Sequence, residues 1–182
     1  MYTIGYGARE IDDFLAVLKA NGIRYLVDVR SHPYSRYKPD FSKDALAAHL
    51  ERAGIRYVFM GDSLGGQPQD ASCYVDGKVQ YDRVAATDFY RQGIERLRDA
   101  FGQQLALALM CSEGKPEQCH RSKLIGKTLA AANIPVLHID EDDQPITHED
   151  VMLRVKGGQP SLFGDDFQKL TSRKRYQVHN DD

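Results

Sequence analysis

Apolar and polar positions along this chain alternate between two periods. Compact apolar runs at Ile23–Val29, Ile55–Met60, Leu105–Met110 and Val136–Ile139 predict strands, and Tyr2–Ile4 is expected to open the sheet. Between them the spacing is helical. Ile11, Phe14, Leu15 and Leu18 fall at i, i+3, i+4 and i+7, Leu46, Leu50 and Ala53 at i, i+4 and i+7, and Tyr90, Ile94, Leu97 and Phe101 continue the pattern. A further helix is expected after His120, with Ile125, Thr128, Leu129 and Ala132 inward. Three helices meet the next strand through Gly22, Gly54 or Asn133 followed at once by Ile. Glycine and asparagine tolerate the left-handed conformation that closes a helix, so these are helix-to-strand joints.

This alternation predicts a three-layer α/β fold, with a mostly parallel central sheet of about five strands and helices on both faces. Leu105–Met110, apolar without alternation, reads as a central strand. The expected organisation is a single α/β domain over 1–156 followed by a partly extended carboxyl-terminal tail over 157–182. Open α/β sheets bind ligands outside the carboxyl ends of their strands. The segments to inspect are therefore Gly5-Tyr6-Gly7, Arg30-Ser31-His32, Gly61-Asp62 with Leu64-Gly65-Gly66, Cys111-Ser112-Glu113 and Asp140.

Composition narrows the class without naming a function. With 182 residues, 42% apolar and 27% charged, the chain excludes disordered, collagen-like and coiled-coil classes. A compact fold of this length buries roughly 70% of the surface exposed by the unfolded chain, so a structural metal or disulfide is not required. The balance of 24 Lys and Arg against 26 Asp and Glu leaves a net charge of −2, and any anionic partner must be held by a local patch. The longest apolar stretch, Leu105–Cys111, is too short to span a bilayer, and the amino terminus lacks a signal core, so no membrane partner is expected. Three cysteines, Cys73, Cys111 and Cys119, suit reduced thiols in a cytoplasm better than a disulfide scaffold.

The most informative segment is Cys111–Ser122, which joins the central strand to the next helix. Cys119, His120, Arg121 and Ser122 fall at the start of that helix, where free N–H groups and the dipole favour an anion. Arg121 adds a bidentate partner for phosphate or carboxylate, and Arg30 is placed to approach the same spot. Glu113 and Asp28 are candidate acid–base groups, His120 a proton carrier and Cys119 a nucleophile. Each residue also has a plain structural role: Asp28 with Arg30 as a closing ion pair, Glu113 paired to Lys115 or Arg121, and Cys119 as an inert core side chain.

Counting removes several familiar motifs. No Cys is followed by five residues and an Arg, Gly5-Tyr6-Gly7 lacks the third glycine of a dinucleotide fingerprint, and there is no full Gly-x-x-x-x-Gly-Lys-Ser/Thr phosphate-binding loop. Neither a cofactor nor a metal is expected, because Cys111, Glu113, Cys119 and His120 lack Cys-x-x-Cys spacing and adjacent residues seldom chelate one ion. The segment 30–43 is a second candidate region. Arg30, Arg36, Lys38 and Lys43 stand against Asp40, a local charge of +3, interleaved with Tyr34, Tyr37 and Phe41. That mixture suits phosphate contacts and base stacking, while the bland alternative is a lid whose tyrosines pack on the body. Candidate substrate contacts are thus Tyr6, Arg30, Ser31, Tyr34, Arg36, Gly65, Gly66, Arg121 and Ser122.

Thr3-Ile4-Gly5-Tyr6, Leu26-Val27-Asp28-Val29-Arg30 with Pro33, Leu64-Gly65-Gly66, Leu109-Met110-Cys111-Ser112-Glu113 and Cys119-His120-Arg121, in that order, resemble the bacterial and archaeal domain-of-unknown-function family 488 over about residues 1–140. The resemblance implies an intracellular α/β domain whose shared polar residues coincide with the carboxyl-edge cluster, and it supplies no reaction. Tyr6 departs from the family, which usually carries histidine there.

In the tail, Gln159-Pro160-Ser161-Leu162-Phe163 is similar to the pentapeptide by which bacterial replication and repair proteins dock on the sliding clamp. Leu162 and Phe163 would enter an apolar pocket and Gln159 would make polar contacts. Arg173-Lys174-Arg175-Tyr176 reads as a solvated terminus. Three functions compete. The first is an enzyme binding a phosphorylated substrate, nucleotide or nucleic acid, at the carboxyl edge. The second is a non-catalytic DNA-maintenance adaptor docking on the clamp. The third is a thiol-dependent sulfur or redox enzyme using Cys119, similar to small α/β sulfurtransferases that carry Asp-Val-Arg after a strand.

Overall fold

The computed structural model describes residues 1–157 and 170–176. Its strands are β1 (Tyr2–Gly5), β2 (Tyr25–Asp28), β3 (Arg56–Phe59), β4 (Tyr74–Val75), β5 (Lys78–Val79), β6 (Leu107–Cys111), β7 (Leu137–Ile139) and β8 (Pro145–Thr147). Six of them form one sheet in the order β3-β2-β6-β1-β7-β8. The first five are mutually parallel, and β8 runs antiparallel to β7 at the edge. The expected sheet of about five strands therefore gains a short sixth. It begins with Pro145, a residue that sheets admit at edges, where a missing N–H breaks no ladder. β4 and β5 make a separate antiparallel ribbon.

Among the described residues, seven α-helices accompany the sheet: α1 (Ile11–Ala20), α2 (Lys43–Arg52), α3 (Gly61–Leu64), α4 (Tyr81–Ala85), α5 (Asp88–Gly102), α6 (Lys127–Ala131) and α7 (His148–Val155). Two apolar layers result. On one face Phe14, Leu18, Leu46 and Leu50 pack with Ile4, Leu26, Ala108 and Met110. On the other, Leu64, Tyr90, Ile94, Leu97 and Leu129 pack with Val27, Leu107, Leu109 and Cys111. Successive residues of β6 thus point into opposite layers and all five are buried, which is why this strand is apolar without alternation.

Gly22 and Gly54 take φ of 67° and 73°, and Asn133 takes 58°, as a left-handed joint requires. A fourth joint, between α5 and β6, uses Gln104 at φ 56° and carries no glycine signal. Ala132, expected to face inward, is exposed. The helix after His120 opens with a π-helical turn, Arg121–Gly126, before α6. Leu124, Ile125 and Leu129 carry the buried face, while α6 ends at Ala131 and leaves Ala132 as its exposed carboxyl cap.

The described part of the tail returns to the domain. Thr171 bridges Gln80, Ser172 exchanges two 3.0 Å bonds with Val79 through its N–H and Oγ, and the Tyr176 N–H donates to the Gly77 carbonyl at 2.7 Å. Among the described residues no helix is long and apolar enough to cross a membrane. The docking pentapeptide residues Gln159, Leu162 and Phe163 lie outside the described residues.

Candidate functional site

β2, β6 and β1 are neighbours, so their carboxyl ends deliver Asp28, Cys111 and Gly5 to one edge. A cavity of about 210 Å³ opens there, walled by Tyr6, Arg30, Tyr34, Glu113 and His120, with Cys111 and Cys119 among its lining. Gly66 also lines it, and a Cβ at that position would sit 2.8 Å from the His120 ring, so only glycine lets this loop lie against the imidazole.

Arg30 is held by Asp28. Nε donates to Oδ1 at 2.9 Å, Nη2 to Oδ2 at 2.6 Å, and the Arg30 backbone N–H to Oδ1 at 3.1 Å. Tyr57 adds a 2.8 Å hydroxyl bond to Oδ2. Asp28 is fully buried, accepts four hydrogen bonds and is absent from the cavity wall, so it orients Arg30 and has no lone pair turned to the cavity. Burial works against charge on Arg30, but Asp28 outweighs it and holds the guanidinium above its ordinary pKa. Burial first, and then Asp28, pushes the Tyr57 hydroxyl far up, against the opposing pull of Arg30. One atom of this array is left over: Arg30 Nη1 is buried and makes no hydrogen bond, although its residue lines the cavity and is only 5% exposed.

Arg121 behaves differently from the expectation. It is fully buried beneath the loop after β6, where Nη1 donates to the Glu113 carbonyl and Nη2 to the Gly114 carbonyl at 2.8 Å. It braces the loop from below and does not line the cavity, so the pair of arginines cradling one phosphate is not formed. Ser122 is equally buried, its hydroxyl donating to the carbonyls of Pro116 and Cys119. Glu113 pairs with neither Lys115 nor Arg121; its carboxylate meets Arg173 at 3.2 Å, and Lys115 pairs with Glu141.

The floor of the cavity is a compact group of three. Sγ of Cys111 and Sγ of Cys119 each lie 3.7 Å from His120 Nδ1. His120 Nε2 is 3.0 Å from the Val29 carbonyl. A carbonyl only accepts, so Nε2–H donates to it and Nδ1 faces the two sulfurs. Hydrogen bonding from Cys119, helped by His120 and Arg121, drives the Cys111 thiol well below its usual range despite burial. Burial and the neighbouring Cys111 push the Cys119 thiol up. Burial opposes charge on His120, but Cys111 overrides it and raises the imidazole. The acidic thiol is thus Cys111, which sequence reasoning left without a catalytic role.

Among the remaining expected contacts, Tyr6 stacks on Phe41 with ring centroids 4.3 Å apart, and Arg30 lies 5.5 Å from the Tyr6 centroid. Ser31 lines the cavity and accepts the Gln67 N–H through Oγ at 2.9 Å. Tyr34, at the rim, is 73% exposed and Tyr37 is 91% exposed, so the packed-lid alternative fails for both; Phe41 is the aromatic that packs. Arg36 is exposed, and neither it nor Gly65 lines the cavity. Sequence reasoning missed the tail. Ser172, Arg173, Lys174 and Tyr176 form one wall, and Arg173 also donates to Gln118 Oε1 at 2.9 Å. Only the basic cluster Arg173–Arg175 hinted at it.

Fold and site together define a three-layer, mostly parallel α/β protein with a thiol- and imidazole-floored cavity at the carboxyl edge of its central strands. The chain belongs to the family described as Domain of unknown function DUF488, which it matches over residues 10–127. That stretch contains Arg30, Cys111, Glu113, Cys119, His120 and Arg121, whereas the tail wall lies beyond it. No curated protein and no solved structure matched the chain.

Proposed function

We propose that this protein is an enzyme that binds a phosphorylated substrate, a nucleotide or a nucleic-acid phosphate, at the carboxyl edge of its sheet. The observation that carries the reading is Arg30, which lines the cavity and whose buried Nη1 has no partner among the described residues. Unpaired buried donors cost about 1–3 kcal/mol, more when charged, and an anionic oxygen removes that cost. Lys174 and Arg173 add positive charge to the wall, against Glu113. Tyr34 offers an exposed ring at the rim on which a base can stack. The convergence of Cys111, Cys119, His120 and Glu113 on the same cavity favours chemistry over simple binding.

Calorimetry on metal-stripped protein with inorganic phosphate, adenosine monophosphate and a short single-stranded oligonucleotide tests this. Arg30→Lys keeps a positive charge beside Asp28 but removes the fork, and is expected to weaken every phosphate probe by about tenfold or more, with folding verified by circular dichroism. Tyr34→Ala, on an exposed side chain, is expected to weaken the nucleotide and leave inorganic phosphate unchanged. Wild-type affinity for all probes in Arg30→Lys overturns the reading, as does absence of binding by the native protein.

A further inference from the structure

We propose that Cys111, Cys119 and His120 form a metal site for one zinc-like divalent ion, with a fourth coordination position open to the cavity. This goes beyond the phosphate reading and stands on the donor geometry alone. The three ligand atoms, Sγ, Sγ and Nδ1, lie within 4.8 Å of one another, and all three residues are buried. A tetrahedral zinc ion with bonds of about 2.3 Å to sulfur and 2.0–2.1 Å to nitrogen separates sulfur from nitrogen by about 3.6 Å. Both separations here are 3.7 Å. The ligands therefore stand close to where an ion would hold them.

The surroundings match what metal ligands need. His120 reaches the ion through Nδ1 because Nε2–H is committed to the Val29 carbonyl, the outer-sphere bond that fixes the tautomer and aim of a ligating histidine. The Arg121 backbone N–H donates to Cys119 Sγ at 3.5 Å. Adjacent Cys119 and His120 weigh against chelation when read from sequence alone. The backbone removes the objection: Cys119 is extended at φ −112° and ψ 149°, His120 is helical at φ −64° and ψ −24°, and the bend between them turns both side chains to one point.

Two thiolates and one imidazole leave a position free, and all three ligands line the cavity wall that Arg30 shares. Sites with three protein ligands keep the fourth position for water or substrate, whereas closed structural sites fill it with protein. Soft sulfur with imidazole selects zinc over magnesium or calcium. A bound ion supplies Lewis acidity beside the proposed phosphate position.

The experiment uses full-length protein, stripped with chelator under a phosphine reductant, with three free thiols verified by mass spectrometry. It is then titrated with Zn²⁺ and with Co²⁺. One ion per chain is expected, and the cobalt form is expected to show thiolate charge-transfer absorption and the intense visible bands of tetrahedral cobalt. Cys111→Ser and Cys119→Ser are each expected to lose affinity by well over about tenfold, the scale on which outer-sphere partners alone act. Cys73→Ala is expected to bind as the native protein does. Should a serine variant fail to fold, the cobalt spectrum of the native protein still decides. Absence of a stoichiometric ion, or an octahedral cobalt spectrum without thiolate absorption, overturns the proposal. So does equal binding in folded Cys111→Ser; rapid alkylation of Cys111 near neutral pH with no bound ion would instead mark a bare nucleophile. Anion binding is measured on stripped protein, so failure of either proposal is seen without the other.

Discussion

His138 offers a quantitative test of how this fold treats a buried titratable group. It sits on β7, fully buried, with Nδ1 2.7 Å from Thr3 Oγ1 and Nε2 3.1 Å from His148 Nδ1. Burial first, then the neighbouring His148 and Arg121, lowers its pKa from 6.5 to about 3. As pH falls below 6.5 the unfolded chain takes up a proton that the folded chain refuses, so stability is complete above pH 6.5 and declines toward pH 3. The slope is about 1.4 kcal/mol per pH unit for one group. At about pH 5, some 1.5 units below the unfolded value, the loss amounts to about 2 kcal/mol. Urea unfolding at about pH 7 and about pH 5, on the native protein and on His138→Gln, isolates this from other titrations. His148, lowered by its own burial, contributes in both proteins. The native protein is expected to lose about 2 kcal/mol more than the variant between the two conditions. Equal losses would mean that folded His138 accepts a proton, and would refute the reasoning.

Other predictions concern packing and the cavity. Leu109→Ala, at a fully buried position of β6, is expected to cost about 2–5 kcal/mol in chemical denaturation. Gly66→Ala drives a methyl against the His120 ring, so a loss of about 1–3 kcal/mol and a shift of the His120 ring-nitrogen resonances are expected by denaturation and NMR. Arg173→Ala removes a half-exposed pair and is expected to change stability by less than about 1 kcal/mol, while accelerating iodoacetamide labelling of Cys111 in metal-stripped protein.

Much of the scaffold was legible because it is written in local periods. The Ile11–Leu18 stripe, the unbroken run before Cys111 and the Gly22 and Gly54 joints each report on their own few residues, and each has its expected place. The order of the parallel strands then brings Arg30 and the Cys111 loop to one edge, as the general rule for open sheets anticipates. Three residues resisted. Asp28 looked like a base, yet four donors arriving from Arg30 and Tyr57 occupy it. Arg121 looked like a phosphate ligand, yet the loop folds over it and offers carbonyls instead. Ala132 looked inward because the helix was expected to run through it, yet α6 ends at Ala131.

The amino-acid sequence by itself determined the layers, the central strand, the joints and the edge at which the chemistry gathers, since each depends on neighbours within a few residues. Only tertiary structure decided what those groups do. Whether an arginine faces a cavity or a carbonyl, whether two thiols 8 residues apart meet one imidazole, and whether Ser172, Arg173, Lys174 and Tyr176 wall the site all depend on contacts between distant segments. Such contacts leave no periodic trace along the chain. Their energies come from burial and from hydrogen bonds whose partners are chosen by the fold.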